Sequence, residues 1–369
     1  MKILISRTDA IGDMLLTMPM AKMLKERFPE SQIVVLASPR STPLLVRHPY
    51  IDDYWTYDPA LSLAKRLFLI ARKLHQFRPD HYFFVGGTHW PSLLAWLWRV
   101  PFRGGLKSRW ASFLYLNKGI RQSRSLVTMH ESEYNLNLLS PLEIKYDYRE
   151  RGNYAPAVKV TEEEKAEALT ALTQELEEKK LPTNRQMVFI HPGMSGHTLN
   201  WPARNYGRLI AALEQRYPER FLFVLSHTPS DAPYLEGVRD FLISEEVQGK
   251  VSVFEFNGQL RGLRFYLASL ANAFAFIGPS TGTTHMANAL GIPQIGLYSP
   301  IKVQSALRWA PYNRGPRAQV MVPDVVCGEL KKCAGSSCPY YECMGKMEVD
   351  DVARAFDRLV EASAQTENL

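Results

Sequence analysis

A hydrophobic run over residues 273–277 leads into Gly278-Pro279-Ser280-Thr281-Gly282-Thr283-Thr284-His285, and the chain then reads as helical as far as Gly291. Pro293, just beyond, opposes any continuation of that helix. A strand, a turn of Gly, Pro and small hydroxyl residues, and a helix, in that order, belong to a parallel α/β sheet. The turn aims several backbone N–H groups, with the hydroxyls of Ser280, Thr281, Thr283 and Thr284, at one spot. There the positive end of the helix dipole favours an anion. A phosphate or pyrophosphate suits such a place without a metal ion. Ser and Thr are also ordinary helix caps, so spacing alone leaves a ligand-free capped helix open.

The same alternation runs through the chain. Strands are predicted at 2–6, 32–37 and 82–85, with helices at 11–28, 62–77 and 91–98. Pro19 should bend the first of these helices. A second series begins near residue 187, with strands at 187–190, 221–225, 251–254, 273–277 and 294–297. Helices at 203–217, 234–242, 263–271 and 283–290 separate these strands. A charge-rich helical stretch over 161–180, then Leu181-Pro182-Thr183-Asn184, divides the two series and puts a boundary near 183. The fold class is therefore α/β, two doubly wound Rossmann-like domains facing a central cleft, where such sheets take ligands at their carboxyl ends.

Arg7 and Asp9 fall too early for a signal peptide, and no apolar run approaches the ~20 residues that span a bilayer. A cytoplasmic protein is expected. The net charge of +7 points to acidic partners, but no Lys/Arg block or nucleic-acid motif is present. Cys327, Cys333, Cys338 and Cys343 follow the spacing C-x5-C-x4-C-x4-C, which lacks the tight pairs of most zinc sites. In a reducing compartment packed or partly exposed thiols are expected rather than disulfides.

Two further turns lie at strand ends. Asp13 stands in Ala10-Ile11-Gly12-Asp13, where it could serve as a base, complement a helix dipole, or pair with Arg7. His191-Pro192-Gly193-Met194-Ser195-Gly196-His197 follows the 187–190 strand and precedes Trp201-Pro202. Its glycines permit close backbone approach by a ligand. Residues 89–113 interleave Trp90, Trp96, Trp98 and Trp110 with Arg99, Arg103, Lys107 and Arg109, which suits an anionic membrane surface. The competing expectation, which the apolar helical face favours, is that Leu93, Leu94, Leu97 and some of the tryptophans form a core helix.

Three islands together resemble the ADP-heptose lipopolysaccharide heptosyltransferases, glycosyltransferase family 9. They are Ile3-Leu4-Ile5-Ser6-Arg7 with Ile11-Gly12-Asp13-Met14-Leu15-Leu16-Thr17-Met18-Pro19; His191-Pro192-Gly193 with Trp201-Pro202 and Tyr206; and Gly278-Pro279-Ser280-Thr281-Gly282 with His285, Ala287, Ala289-Leu290-Gly291 and Pro293. Weaker echoes are His130-Glu131 before Tyr134-Asn135-Leu136, Asn257-Gly258, Cys338-Pro339 and Cys343-Met344. The resemblance implies a GT-B fold: an acceptor domain over 1–183, a nucleotide-sugar domain over 184–346, and a final helix over 347–369 that packs back toward the first domain.

It further implies an inverting glycosyltransferase that moves a heptose or related sugar from an ADP-sugar to a lipopolysaccharide inner-core type acceptor, with Asp13 as general base. Gly193, Ser195, Ser280, Thr281, Gly282, Thr283, Thr284 and His285 would bind the donor, with the 280–285 turn holding its diphosphate. No cofactor and no metal are expected. The partners implied are the nucleotide sugar and an anionic glycolipid, with peripheral contact at the cytoplasmic face of the inner membrane.

Two positions depart from the family pattern. Ser280 replaces the usual acidic residue or Asn after Gly-Pro, and Leu199 replaces the usual Lys two residues before Trp-Pro. Arg7, His197, Arg204 or Lys302 would then supply charge. These departures keep open a transferase for another nucleotide sugar, or a GT-B protein that binds without catalysing. A dinucleotide oxidoreductase is disfavoured, since no G-x-G-x-x-G follows the first strand.

Overall fold

The computed structural model describes residues 1–367 except 195, 197, 245, 246, 248, 313 and 314. The chain forms two compact units, residues 1–159 and 160–369. In the first unit the order is β1 (Lys2–Arg7), α1 (Ile11–Leu15), α2 (Pro19–Arg27), β2 (Gln32–Ala37), α3 (Thr42–Leu45), β3 (Asp53–Thr56) and α4 (Leu63–Phe77). It continues with β4 (His81–Gly86), α5 (Trp90–Leu97), β5 (Phe102–Lys107), α6 (Trp110–Tyr115), β6 (Lys118–Arg121) and α7 (Glu131–Leu136).

The second unit opens with α8 (Glu162–Glu178), β7 (Gln186–Ile190), α9 (Ala203–Arg216), β8 (Phe221–His227), α10 (Ala232–Leu242), β9 (Val253–Asn257) and α11 (Gly262–Leu270). Then come β10 (Ala275–Pro279), α12 (Gly282–Ala289), β11 (Gln294–Leu297), α13 (Ala306–Trp309), β12 (Ala318–Met321) and α14 (Val349–Glu367).

Each unit holds one six-stranded sheet, ordered β3-β2-β1-β4-β5-β6 in the first and β12-β11-β10-β7-β8-β9 in the second. Every pairing is parallel. Strands such as β1, with Ile3, Leu4 and Ile5 all buried, are apolar on both faces because helices cover both. In each sheet the chain runs outward to one edge, crosses back, and runs outward to the other. The reversal lies between β1 and β4 in one unit and between β7 and β10 in the other. Loops at the carboxyl ends of those strand pairs diverge and leave a crevice, the usual ligand position in such sheets. The predicted α/β class holds.

Three boundaries differ from the sequence reading. The predicted 11–28 helix is two helices, broken by a turn ahead of Pro19, whose ring starts α2 at a first-turn position. The units divide at 159 rather than 183, because α8 packs against α11. Ala168, Leu172 and Leu176 of α8 are buried, Arg264 Nε donates to Glu164 Oε1 at 2.7 Å, and Arg261 pairs with Glu175 at 2.8 Å. The final helix also belongs to the second unit. Its Val352, Ala353, Phe356 and Leu359 are core residues that pack with Tyr217, Phe221 and Phe274, and Tyr217 Oη donates to Asp357 Oδ1 at 2.8 Å.

Phe356 is fully buried, so Phe356→Ala should destabilise the second unit by about 3–5 kcal/mol. Urea unfolding followed by circular dichroism measures this, and a loss below ~1 kcal/mol would make α14 an appendage rather than core.

Candidate active site

At the β1/β4 reversal the organising group is Arg7. Its guanidinium is 5% exposed and sits between the two strand ends. Nε donates to Asp9 Oδ1 at 2.7 Å, Nη1 to the Val85 carbonyl at 3.1 Å, and Nη2 to Asp13 Oδ1. Burial opposes the charge, but Asp13, Asp9 and Glu131 outweigh it and raise Arg7 above the ordinary guanidinium value. Gly86 is required here, since a Cβ at that position would lie 2.8 Å from Arg7 Cζ. Asp13 itself is 23% exposed, so its carboxylate is oriented by Arg7 and still reaches solvent. Of the sequence alternatives for Asp13, the ion pair is present, and it is compatible with a base.

A polar scaffold behind α1 carries residues that the sequence marked only weakly or not at all. Arg124 Nη1 bonds to Glu131 Oε1 and, at 3.0 Å, to Asn135 Oδ1. Asn135 Nδ2 donates to the Leu16 carbonyl at 3.0 Å, and Thr17 Oγ1 donates to the Asp13 carbonyl at 2.8 Å. The His130-Glu131 island therefore fixes the segment that bears Asp13. Arg124 has no local sequence signal at all.

At the β7/β10 reversal the two remaining islands lie side by side. Ile190 is in register with Ile277, and His191 N donates to the Ile277 carbonyl at 2.9 Å. The 280–285 turn starts α12 with Thr281 extended at the cap position and no side-chain cap on the helix. The start of such a helix, with no side-chain cap among the described residues, is a place where backbone amides can meet an anion. Ser280, Thr281 and His285 are buried, and His285 lies 6.4 Å from the Trp309 ring. Thr281 and Thr283 hydroxyls bond to each other at 2.7 Å, an arrangement that can present one O–H to a ligand oxygen. Thr284 departs from the expected convergence. Its hydroxyl is buried and donates back to the Pro279 carbonyl, so it closes the turn instead of facing a ligand.

The His191 loop is held by neutral hydrogen bonds. His191 Nδ1 lies 2.9 Å from the Ser226 carbonyl, which only accepts, so Nδ1 carries the proton. Burial lowers the His191 pKa, against the opposing pull of Asp231 and the Ser226 carbonyl. The 4.0 Å approach of Nε2 to Asp231 is accordingly a contact of a neutral ring and not an ion pair. Gly193 is needed because a Cβ there would lie 2.2 Å from Asp231 Cγ. Asp231 in turn accepts from Thr228 N and Oγ1, both at 2.7 Å.

Asn200, a residue without a sequence signal, ties the motif together. It donates to the Pro192 carbonyl at 2.6 Å and accepts from Trp201 N at 2.8 Å and Tyr206 Oη at 3.0 Å. Trp201 is core, its indole N–H donating to the Met347 carbonyl at 2.9 Å.

The residues expected to supply charge are otherwise engaged. Arg204 is exposed and lies over the Phe241 ring, and Lys302 bonds to Glu329 at 2.5 Å. Leu199 packs against the apolar core of the second unit. Ser195 and His197 lie outside the described residues. Among the described residues no cluster of three His, Cys, Asp or Glu side chains is arranged to hold a metal ion. The four cysteines are unbridged thiols, Cys343 buried and Cys333 exposed.

With this geometry the chain was compared with known proteins. A Haemophilus influenzae protein named only as a glycosyltransferase is 27% identical over 314 residues, covering 85% of this chain and 86% of that one. Lipopolysaccharide heptosyltransferase 2 of Escherichia coli K12 is 22% identical over 304 residues, 81% of this chain and 83% of that one. The solved ADP-heptose lps heptosyltransferase II of E. coli superposes with a TM-score of 0.75 at 20% identity, covering 98% of this chain and 100% of that one. The fold is therefore that of the GT-B heptosyltransferases. The profile of glycosyltransferase family 9 (heptosyltransferase) matches residues 71–327, more than half of the chain, and the protein belongs to that family.

Proposed function

We propose that the protein transfers a heptose from ADP-heptose, with inversion, to a hydroxyl of a lipopolysaccharide inner-core type acceptor. The E. coli relatives are named for lipopolysaccharide and for ADP-heptose, which supports this choice of substrates. The observation that carries it in this chain is Asp13, a partly exposed carboxylate aimed by a buried arginine at a sheet reversal. Asp13 would accept the proton of the acceptor hydroxyl as that oxygen bonds to the anomeric carbon. The bond from that carbon to the diphosphate breaks in the same step, and ADP departs with the charge.

Pairing with Arg7 would fix the direction of the Asp13 carboxylate toward the acceptor hydroxyl. The growing negative charge on the diphosphate is met by the α12 amides and by the Thr281–Thr283 hydroxyl pair. A lipid-linked acceptor would bring the enzyme to the cytoplasmic face of the inner membrane as a peripheral protein.

One observation favours a second reading. Leu199, half-buried and packed against the core, cannot supply the positive charge of the lysine usual in the family, which fits a different donor sugar. Turnover measured across ADP-, UDP- and GDP-sugars separates the two.

Asp13→Asn should lower turnover by about 10²- to 10⁴-fold while ADP affinity, read by calorimetry, stays nearly unchanged. Comparable turnover in the variant would remove Asp13 from the role. Thr281→Val with Thr283→Val should weaken ADP binding about tenfold, the worth of roughly one charge-assisted hydrogen bond; unchanged affinity would place the diphosphate elsewhere. Because amides and hydroxyls meet the diphosphate, activity should persist in EDTA, and a strong loss would demand a metal in the reaction.

A further inference from the structure

Helices α4, α5 and α6 lie in a row in the first unit, with α5 between the other two, and both α5 and α6 expose large apolar side chains. A surface helix normally turns its apolar face to the core. α6 instead buries Ala111 and Ser112 and exposes Trp110 (76%), Phe113 and Leu114. α5 buries Pro91, Ser92, Leu94 and Ala95 and exposes Trp90, Trp96 and Leu97, with Trp98 exposed at its end. Phe68 of α4 is exposed as well. The core expectation thus holds for Leu94, is half met by Leu93, and fails for Leu97 and for Trp90, Trp96, Trp98 and Trp110. All the exposed tryptophans among the described residues lie here, since Trp55 and Trp201 are buried and Trp309 is half-buried.

Charge coincides with this apolar surface. Residues 63–121, from α4 to β6, contain eleven Lys and Arg and one acid, Asp80, a net +10. The whole chain is +7, so all other residues together sum to −3. Lys107 Nζ and the Arg121 guanidinium stand 5.8 and 5.1 Å from the Phe113 ring, which places cations directly beside the exposed aromatics. Arg99 and Arg109, both exposed, adjoin Trp98 and Trp110 in the chain.

We infer that the α5–α6 face is a docking surface for an anionic phospholipid bilayer. Tryptophan is suited to the headgroup boundary, where its ring is buried and its N–H stays wet, and each nearby Lys or Arg adds attraction to anionic lipid. Among the described residues no helix is long and apolar enough to cross a membrane. α5 starts at the same carboxyl end of the sheet as the Asp13 loop: Thr88 N donates to Thr8 Oγ1 at 3.1 Å, in the loop between Arg7 and Asp13. Docking would hold the first unit, which carries Asp13, at the lipid surface. This inference deepens the peripheral-membrane part of the reading above and is independent of donor and acceptor chemistry.

The test uses the full-length protein with vesicles of phosphatidylglycerol and phosphatidylethanolamine, containing no lipopolysaccharide, against vesicles of phosphatidylcholine. Cosedimentation should show preference for the anionic vesicles, weakened by salt, with a blue shift of tryptophan fluorescence on binding. Trp98→Ser with Trp110→Ser, and separately Arg109→Glu with Arg121→Glu, should each reduce binding about tenfold or more while the thermal transition is retained. Both pairs should leave transfer to a soluble deacylated acceptor intact, so loss of lipid binding and failure of the transferase reading stay distinguishable. Equal binding to both vesicle types, or unchanged binding by both variants, would overturn the inference. So would a dimer in sedimentation equilibrium that the tryptophan variant dissolves, since the face would then serve a second copy of this chain.

Discussion

Arg7 carries a full charge in a place with almost no water, and the loops after β1 and β4 are arranged around that fact. Two carboxylates and a carbonyl accept from its guanidinium, and a glycine leaves room for it. Removing one partner of a buried ion pair typically costs about 3–5 kcal/mol, because the other charge stays buried. The position of Asp13 is therefore set by the need to satisfy Arg7, and it cannot drift without leaving that charge uncompensated. The Arg124–Glu131 pair behind α1 extends the same constraint to the backbone of Leu16 through Asn135.

At the reversal of the second unit no buried cation is found among the described residues. Its loops at the sheet reversal are fixed by a neutral His191, by the amide of Asn200, and by Asp231 accepting from Thr228. On the reading proposed above, the difference would follow from what each site has to hold: a base needs a carboxylate of fixed direction, which a buried guanidinium supplies, and a diphosphate needs donors, which the first turn of α12, without a side-chain cap among the described residues, could offer.

Much of this was legible locally. Strands β1, β2, β4, β7, β8, β10 and β11 are apolar runs buried on both faces, and they announce themselves in a short window. The strands that escaped notice, β3, β5, β6 and β12, are short or polar: DYWT, FRGGLK, KGIR and AQVM. They form through pairing with neighbours already in place. Asp13 and the 280–285 turn were visible because a strand, a turn and a helix follow one another without interruption. Asn200, Asp231 and Arg124 were not, because their meaning lies in partners elsewhere, as with Asn135 and Leu16, 119 residues apart. The assignment of α8 to a linker failed for the same reason, since the arginines that neutralise its Glu164 and Glu175 come from α11.

The two departures from the family pattern gain sense from the register of β7 and β10. Leu199 stands where the family usually has a cation and Ser280 where it has an acid or, in some members, Asn, in loops that leave adjacent strands at the same sheet reversal. Losing the lysine alone would weaken attraction for a diphosphate, and losing an acid would strengthen it. Against the acidic form of the pattern, losing both would keep the balance of charge at this reversal while making it less polar. Leu199 joins the apolar core and Ser280 is buried in the turn, so neither change leaves an unpaired charge to be desolvated. Lys302 bonds to Glu329 and Arg204 lies over Phe241, so on the proposed reading the backbone amides at the start of α12 would carry more of the attraction for a diphosphate. Amides fixed at a helix terminus act at short range, so such a site would discriminate by the position of the phosphates more than by the total charge of the donor.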